Sequence, residues 1–302
     1  MICGGLRIQG KLKKSLINQP LITVITVVYN GAATLEQTIC SVVEQIYSNI
    51  EFIIVDGGSS DNTLNILKNY DDKIDYWISE PDGGIYDAMN KGIKLASGDY
   101  IYIIGCDDWL CNRNVFSDII QYMIKGFDVI SGRVWLVYKN GYQRIYDNRL
   151  SYTKEEDIMN RTISSPHQGM FVKSSFMKNN LFDTNYSVAA DYKSLLTIWL
   201  NSDISICKVP NIIAFYSNEG TSKRLMTKRR TETLKIIDEF KFWDKLLYNQ
   251  KTGNRKITWY IKNLLINLGM NKVKYGAVLF LGYFKGVVKK HSCEWKRCRF
   301  CN

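Results

Sequence analysis

The stretch Gly98-Asp-Tyr-Ile-Tyr-Ile-Ile-Gly-Cys-Asp-Asp-Trp109 ends in two adjacent carboxylates, Asp107 and Asp108, where a β-branched and aromatic run stops. Two anions side by side repel unless a cation or a donor-rich ligand occupies the gap between them. A hard divalent cation, Mg²⁺ or Mn²⁺, suits such a place, because it takes one or two protein carboxylates and completes its shell with diphosphate oxygens and water. Asp-Asp after a strand is also ordinary turn chemistry, so the pair alone leaves both readings open.

Two further strand ends carry Asp. Leu21 to Tyr29 is an almost unbroken β-branched run, as expected of a strand buried on both faces of a parallel sheet. A helix follows from Thr34, with Leu35, Ile39, Val42, Val43 and Ile46 at helical spacing, and Glu51 to Val55 is a second strand. That strand runs into Asp56-Gly-Gly-Ser-Ser-Asp-Asn-Thr63 and a helix over Leu64 to Tyr70. Ser60 and Asp61 there serve equally well as helix caps. Ile74 to Ser79 is a third strand, closed by Glu80-Pro-Asp82-Gly-Gly84, before a helix over Ile85 to Ala96. The pattern is a doubly wound, mostly parallel α/β sheet, and three acidic strand ends mark one edge of it as a polar site.

At 302 residues the chain is long enough for a full α/β domain and an appended segment. Its net charge of +11 is uneven: residues 223–302 hold 20 Lys/Arg against 5 Asp/Glu, leaving a slightly acidic body. A basic tail points to an anionic partner, nucleic acid or a membrane surface. Met1 to Gln19 lacks the apolar core of a secretory segment, and Tyr275 to Phe284 is about half the ~20 residues of a membrane span, so a cytoplasmic or peripheral protein is expected. Cys40, Cys106 and Cys207 sit in apolar segments, which favours a reducing compartment. His291, Cys293, Cys298 and Cys301 cluster without a standard zinc spacing, so a frayed tail is the simpler expectation.

Four ordered motifs now carry a resemblance. Val24-Ile-Thr-Val-Val-Tyr-Asn30, Val55-Asp-Gly-Gly-Ser-Ser-Asp-Asn-Thr63, Ser79-Glu-Pro-Asp-Gly-Gly-Ile-Tyr-Asp-Ala-Met-Asn-Lys-Gly92 and Gly98-Asp-Tyr-Ile to Asp108 closely resemble the family 2 glycosyltransferases of bacterial polysaccharide assembly. The resemblance covers about residues 20–220. It implies a GT-A fold, a nucleotide-binding half over 21–110, an acceptor half over 111–225, a nucleoside-diphosphate sugar donor and Mg²⁺ or Mn²⁺. By the same resemblance Tyr29 and Asp56 line the base pocket, Asp82 and Lys91 lie near the nucleotide-sugar, and Asp107 and Asp108 contact ribose and metal-diphosphate. Many members carry a second Asp where Gly57 stands, which leaves the base open.

Beyond the acidic motif we expect a helix over Val115 to Ile124, a strand over Phe127 to Ser131 and a hairpin over Val134 to Tyr146 turning at Asn140-Gly141. His167 and Gln168 are candidates for the acceptor pocket, although a lone His beside a strand is also ordinary structure. Asp191 opens an apolar helix through Trp199, where it is either a cap or, by the resemblance, the catalytic base. After a last strand over Val209 to Tyr216, the loop with Gly220, Ser222 and Arg224 resembles one that closes over the diphosphate. Residues 1–20 form a disordered or loosely docked lead-in, and 226–302 form basic amphipathic helices suited either to an anionic membrane or to packing on the body.

The expected activity is inverting transfer of a sugar to a glycan or lipid-linked glycan acceptor in O-antigen, capsule or exopolysaccharide assembly, on the inner face of the bacterial membrane. A silent nucleotide-sugar-binding scaffold is the alternative. Nucleic-acid binding is not expected, since no binding motif accompanies the basic residues and acidic strand ends repel phosphate.

Overall fold

A computed structural model describes residues 1–146, 166–218, 220 and 224–240. The chain divides into two compact units, Met1–Ile236 and Ile237–Asn302, and the first of them carries the sheet. Ser222, most of the basic tail and the terminal His/Cys cluster lie outside the described residues.

The first half alternates strand and helix: β1 (Ile2–Gly4), β2 (Ile22–Val28), α1 (Leu35–Val43), β3 (Ile50–Asp56), α2 (Thr63–Asn69), β4 (Tyr76–Ser79), α3 (Ile85–Leu95) and β5 (Tyr100–Gly105). β6 (Trp109–Leu110), α4 (Val115–Ile124), β7 (Val129–Val137) and β8 (Gln143–Tyr146) follow. β9 (Met170–Lys173), α5 (Ser174–Asn179), α6 (Ala190–Leu200), β10 (Ile206–Ser217) and α7 (Met226–Glu239) complete the described elements. One sheet runs β1-β4-β3-β2-β5-β9-β7-β10-β6, with β8 paired to β7. Its centre, β4-β3-β2-β5, is parallel, as expected, and β9 enters antiparallel between β5 and β7.

Both faces of the central strands are buried, which is why they are almost uninterrupted runs of Ile and Val. One face places Ile22, Val24, Phe52, Ile54, Tyr102 and Ile104 in a core with α1 and α4. Within it Tyr102 stacks on Phe171 of β9 at 4.7 Å, which closes the seam between the halves. The other face packs α3 against β2 and β3. There a Cβ on Gly92 would lie 2.5 Å from Ile25 Cγ2. Gly92→Ala is therefore expected to destabilise the fold by about 1–3 kcal/mol through overpacking, read as a lower urea midpoint at unchanged slope.

Three local expectations are corrected. The lead-in is docked: β1 pairs antiparallel with β4, Gly5 N–H donates to Asp71 Oδ1 at 2.7 Å, Arg7 pairs with Glu51 and Lys13 with Asp75 at 2.9 Å. The break expected between Ser131 and Val134 does not exist, because β7 continues through Gly132. A Cβ there would lie 2.4 Å from Ile213 Cγ1, so glycine lets β10 approach rather than ending the strand. Ile46 lies past the end of α1 and is exposed, not in its apolar stripe.

Cys40, Cys106 and Cys207 are half-buried and form no disulfide. Among the described residues no helix is long and apolar enough to cross a membrane.

Candidate active site

The carboxyl ends of β2, β3, β4 and β5 form one rim. After β2, Tyr29 is 67% exposed, a large aromatic face left open beside Asn30, whose φ of 52° is left-handed. The loops after β2 and β3 are tied together: Asn30 N–H donates to Ser59 Oγ at 2.7 Å, Ser60 N–H to Asn30 Oδ1 at 2.9 Å, and Ala32 N–H to Asp61 Oδ2 at 3.0 Å. Asp56 has no exposed surface; its carboxylate accepts from Ser59 N–H and from the Ser59 and Ser79 hydroxyls. Asp56 thus shapes the loop that flanks Tyr29 and presents no open oxygen of its own.

Asp82 accepts from Gly84 N–H at 2.8 Å. A Cβ on Gly57 would lie 2.5 Å from Asp82 Oδ2, so glycine at 57 lets the β4 loop fold over the β3 loop. Lys91 is held by Glu80 at 3.0 Å and by Asp87 at 3.7 Å, with its ammonium also donating to Pro81 O at 3.3 Å. It therefore sits under the Asp82 loop, paired with acidic neighbours.

The acidic pair is asymmetric. Asp108 is 1% exposed; its Oδ1 accepts from Ser217 N–H and its Oδ2 from Gln168 Nε2, both at 2.8 Å. Desolvation, and next the charge of Asp107, push Asp108 up to about 7 against the opposing donors. Asp107 is half-buried and also raised by desolvation, opposed by the Arg224 and His167 charges. Gly105 permits this crowding, since a Cβ there would lie 2.7 Å from Asp108 Oδ2. Gly220 passes beside the pair, its Cβ position 3.4 Å from Asp107 Oδ2. Two hard oxygen ligands that repel each other, one still partly open, fit a divalent cation that keeps phosphate and water in its remaining positions.

Asp191, in the first turn of α6, is 31% exposed by its side chain. Its Oδ1 accepts from the Tyr86 hydroxyl and from Tyr192 N–H, each at 2.9 Å, and its Oδ2 is 3.8 Å from His167 Nδ1. Burial alone would raise this carboxyl; the interactions with His167, Tyr86 and Tyr192 outweigh it and hold the group below the ordinary carboxylate range. Asp191 is therefore ionised at neutral pH and can accept a proton. Asp191 and His167 also line a recess of about 30 Å³ whose other walls include Ile101, Ile103, Met170 and Ile198.

His167 and Gln168 form a single 3-10 turn, His167–Gly169, before β9, and so consecutive side chains reach Asp191 and Asp108. The structure thus brings Asp107, Asp108, His167, Gln168 and Asp191 together, with Arg224 within electrostatic reach of Asp107. Tyr29, Asp56, Asp82 and Lys91 belong to the neighbouring loops along the rim. Gln168 meets the acidic pair directly, and Tyr86 is a site residue that sequence reasoning missed. Its one signal is its place in the first turn of α3, just after Gly83-Gly84.

Tyr86→Phe is expected to raise the Asp191 pKa by removing a donor to the ionised form. If Asp191 is the base, the acid limb of the turnover profile then moves to higher pH. An unmoved limb would deny that the Tyr86 contact matters.

Residues 23–182, more than half of the chain, match the family described as Glycosyl transferase family 2. An uncharacterized glycosyltransferase of Mycobacterium tuberculosis is 31% identical over 188 residues, 60% of this chain and 70% of that protein. One from Haemophilus influenzae is 38% identical over 99 residues, 32% of this chain and 40% of that protein. Among solved structures, S. aureus TarS 1-349 in complex with UDP-GlcNAc superposes with a TM-score of 0.56 at 20% identity, over 66% of this chain and 59% of that one. The mannosyltransferase PcManGT from Pyrobaculum calidifontis, in complex with GDP-Man and Mn2+, gives 0.54 at 16% identity, over 94% and 86%. These two likenesses concern the fold, and the chain spans less than two thirds of TarS 1-349. With a family match over most of the rim and a relative of which it covers more than two thirds, this chain belongs to glycosyltransferase family 2.

Proposed function

We propose that the protein transfers a sugar, with inversion, from a nucleoside-diphosphate sugar to a hydroxyl of a glycan acceptor, lipid-linked, in the assembly of a bacterial surface polysaccharide. The observation that carries this reading is the convergence of the Asp107–Asp108 pair and ionised Asp191 on one turn, His167–Gln168. Solved structures of the same fold hold UDP-GlcNAc, or GDP-Man with Mn2+, which supports a sugar-nucleotide donor here.

In this reading Tyr29 stacks against the base, Asp56 holds its loop in place, and Asp82 and Lys91 flank the sugar-nucleotide. Asp107 and Asp108 would hold Mg²⁺ or Mn²⁺, which when bound would supply positive charge to the diphosphate leaving group. Ser222 and Arg224 bind the diphosphate. Asp191 accepts the proton of the acceptor hydroxyl as its oxygen attacks the anomeric carbon. The carbon–oxygen bond to the diphosphate breaks, and its electron pair departs with the nucleotide. His167 and Gln168 border the acceptor. Lys228, Arg229 and Arg230 are exposed on α7; with the basic residues of 226–302 they favour peripheral contact with an anionic membrane.

The test is a thermal-shift panel of UDP-, GDP-, CDP- and dTDP-sugars with and without Mn²⁺, followed by nuclear magnetic resonance of the anomeric product. The proposal expects one nucleotide class to stabilise the protein in a metal-dependent way, and an inverted product. No stabilisation by any class, or a retained configuration, sinks it.

A further inference from the structure

Helix α6 carries Asp191, yet its N-cap residue is Ala189, which offers no capping side chain. The amides just before the helix are nevertheless satisfied, and by a residue from a distant helix. Glu232 of α7 is 7% exposed. Its Oε1 accepts from Ser187 N–H at 3.1 Å and Ser187 Oγ at 3.0 Å, and its Oε2 from Val188 N–H at 2.9 Å and Ala189 N–H at 3.0 Å. A carboxylate at a helix start suits the free N–H groups and the positive end of the helix dipole. All four bonds fall on the three residues immediately before α6, and Asp191 is two residues beyond Ala189.

We propose that Glu232 is a positioning residue for Asp191: by clamping residues 187–189 it sets where α6 begins and so holds the Asp191 carboxylate against Tyr86 and His167. Its consequence for turnover rests on the reading of Asp191 as the base. A group misplaced by about 1 Å in a reacting array costs up to 10²-fold in rate, and a four-bond clamp two residues away sets position on that scale. The carboxyl of Glu232 itself is held below its ordinary range: burial raises it, and the amides of Val188 and Ser187 with the Ser187 hydroxyl outweigh that.

The experiment uses the full chain with ¹³C-carboxyl-labelled Asp, the Asp191 signal being assigned with Asp191→Asn. In Glu232→Gln, which keeps the size of the side chain, amide exchange at Val188 and Ala189 is expected to rise and the Asp191 titration midpoint to move up. The sign discriminates. Losing the Glu232 charge alone would lower the midpoint, whereas losing the contacts of Tyr86 and His167 raises it. Glu232→Ala should do the same more strongly, and Glu232→Gln decides if the alanine variant does not fold.

Asp128→Asn is the control. It removes a comparable cluster, Lys173 Nζ at 2.8 Å and Ser205 N–H at 2.9 Å, at the N-terminal ends of β5 and β7, and should leave the Asp191 midpoint where it is. With UDP-GlcNAc and GDP-Man as donor probes, kcat is expected to fall about tenfold or more at unchanged donor KM. A folded Glu232→Gln with an unchanged or lowered Asp191 midpoint overturns the inference. The titration does not depend on Asp191 being the base, so failure here and failure of the proposed function are read separately.

Discussion

Asp191→Asn is expected to lower sugar transfer by about 10²–10⁴-fold, the contribution of a positioned general base, with donor affinity changed by less than about twofold. The amide is nearly isosteric and still accepts from the Tyr86 hydroxyl and Tyr192 N–H, so α6 keeps its start. It cannot accept the proton of the attacking hydroxyl. The check is nucleotide release in the presence of acceptor, together with donor titration of the variant. A variant that turns over at the wild-type rate would move the base elsewhere, and His167, 3.8 Å away, is the next group to replace.

The second large effect is expected at Asp108. Asp108→Asn leaves one carboxylate where two stood, so the Mn²⁺-dependent part of donor stabilisation should vanish. At a donor concentration 100 times its Kd in the presence of metal, the whole donor stabilisation of the wild type is about 2.7 kcal/mol, which bounds that part from above. Stability without metal should change little. Asn keeps one acceptor for Gln168 or Ser217 and loses the other, a cost of about 1–3 kcal/mol, while removing a charge that burial and Asp107 both disfavour. Calorimetry with UDP-GlcNAc and GDP-Man, with and without Mn²⁺, reads both quantities. A metal-dependent shift that survives in the variant would show that the cation is held elsewhere.

The rim was legible in the sequence because its signals are local. β-branched runs announce strands buried on both faces, and the residues just after each run must lie at the sheet edge, so Asp56, Asp82 and Asp107–Asp108 could be placed together without coordinates. The contacts that organise Asp191 were not legible, because they join residues far apart in the chain. Tyr86 and Asp191 are 105 positions apart, and the Glu232 clamp spans 45 to Ser187. No local pattern encodes such pairs. The docked lead-in was hidden for the same reason, since Arg7 and Lys13 look like solvated charges until Glu51 and Asp75 are set beside them. The length of β7 was hidden likewise: the strand expected to end at Ser131 continues through Gly132, where only the neighbouring β10 reveals that glycine serves close approach.

That His167 and Gln168 are consecutive has a mechanical consequence. The site has two acidic poles, the Asp107–Asp108 pair and Asp191, and each is met by one of two side chains on a single short turn. The span between the poles is therefore gauged by one peptide unit anchored to β9, whose Phe171 is locked against Tyr102 in the core. The site has a fixed ruler at its centre.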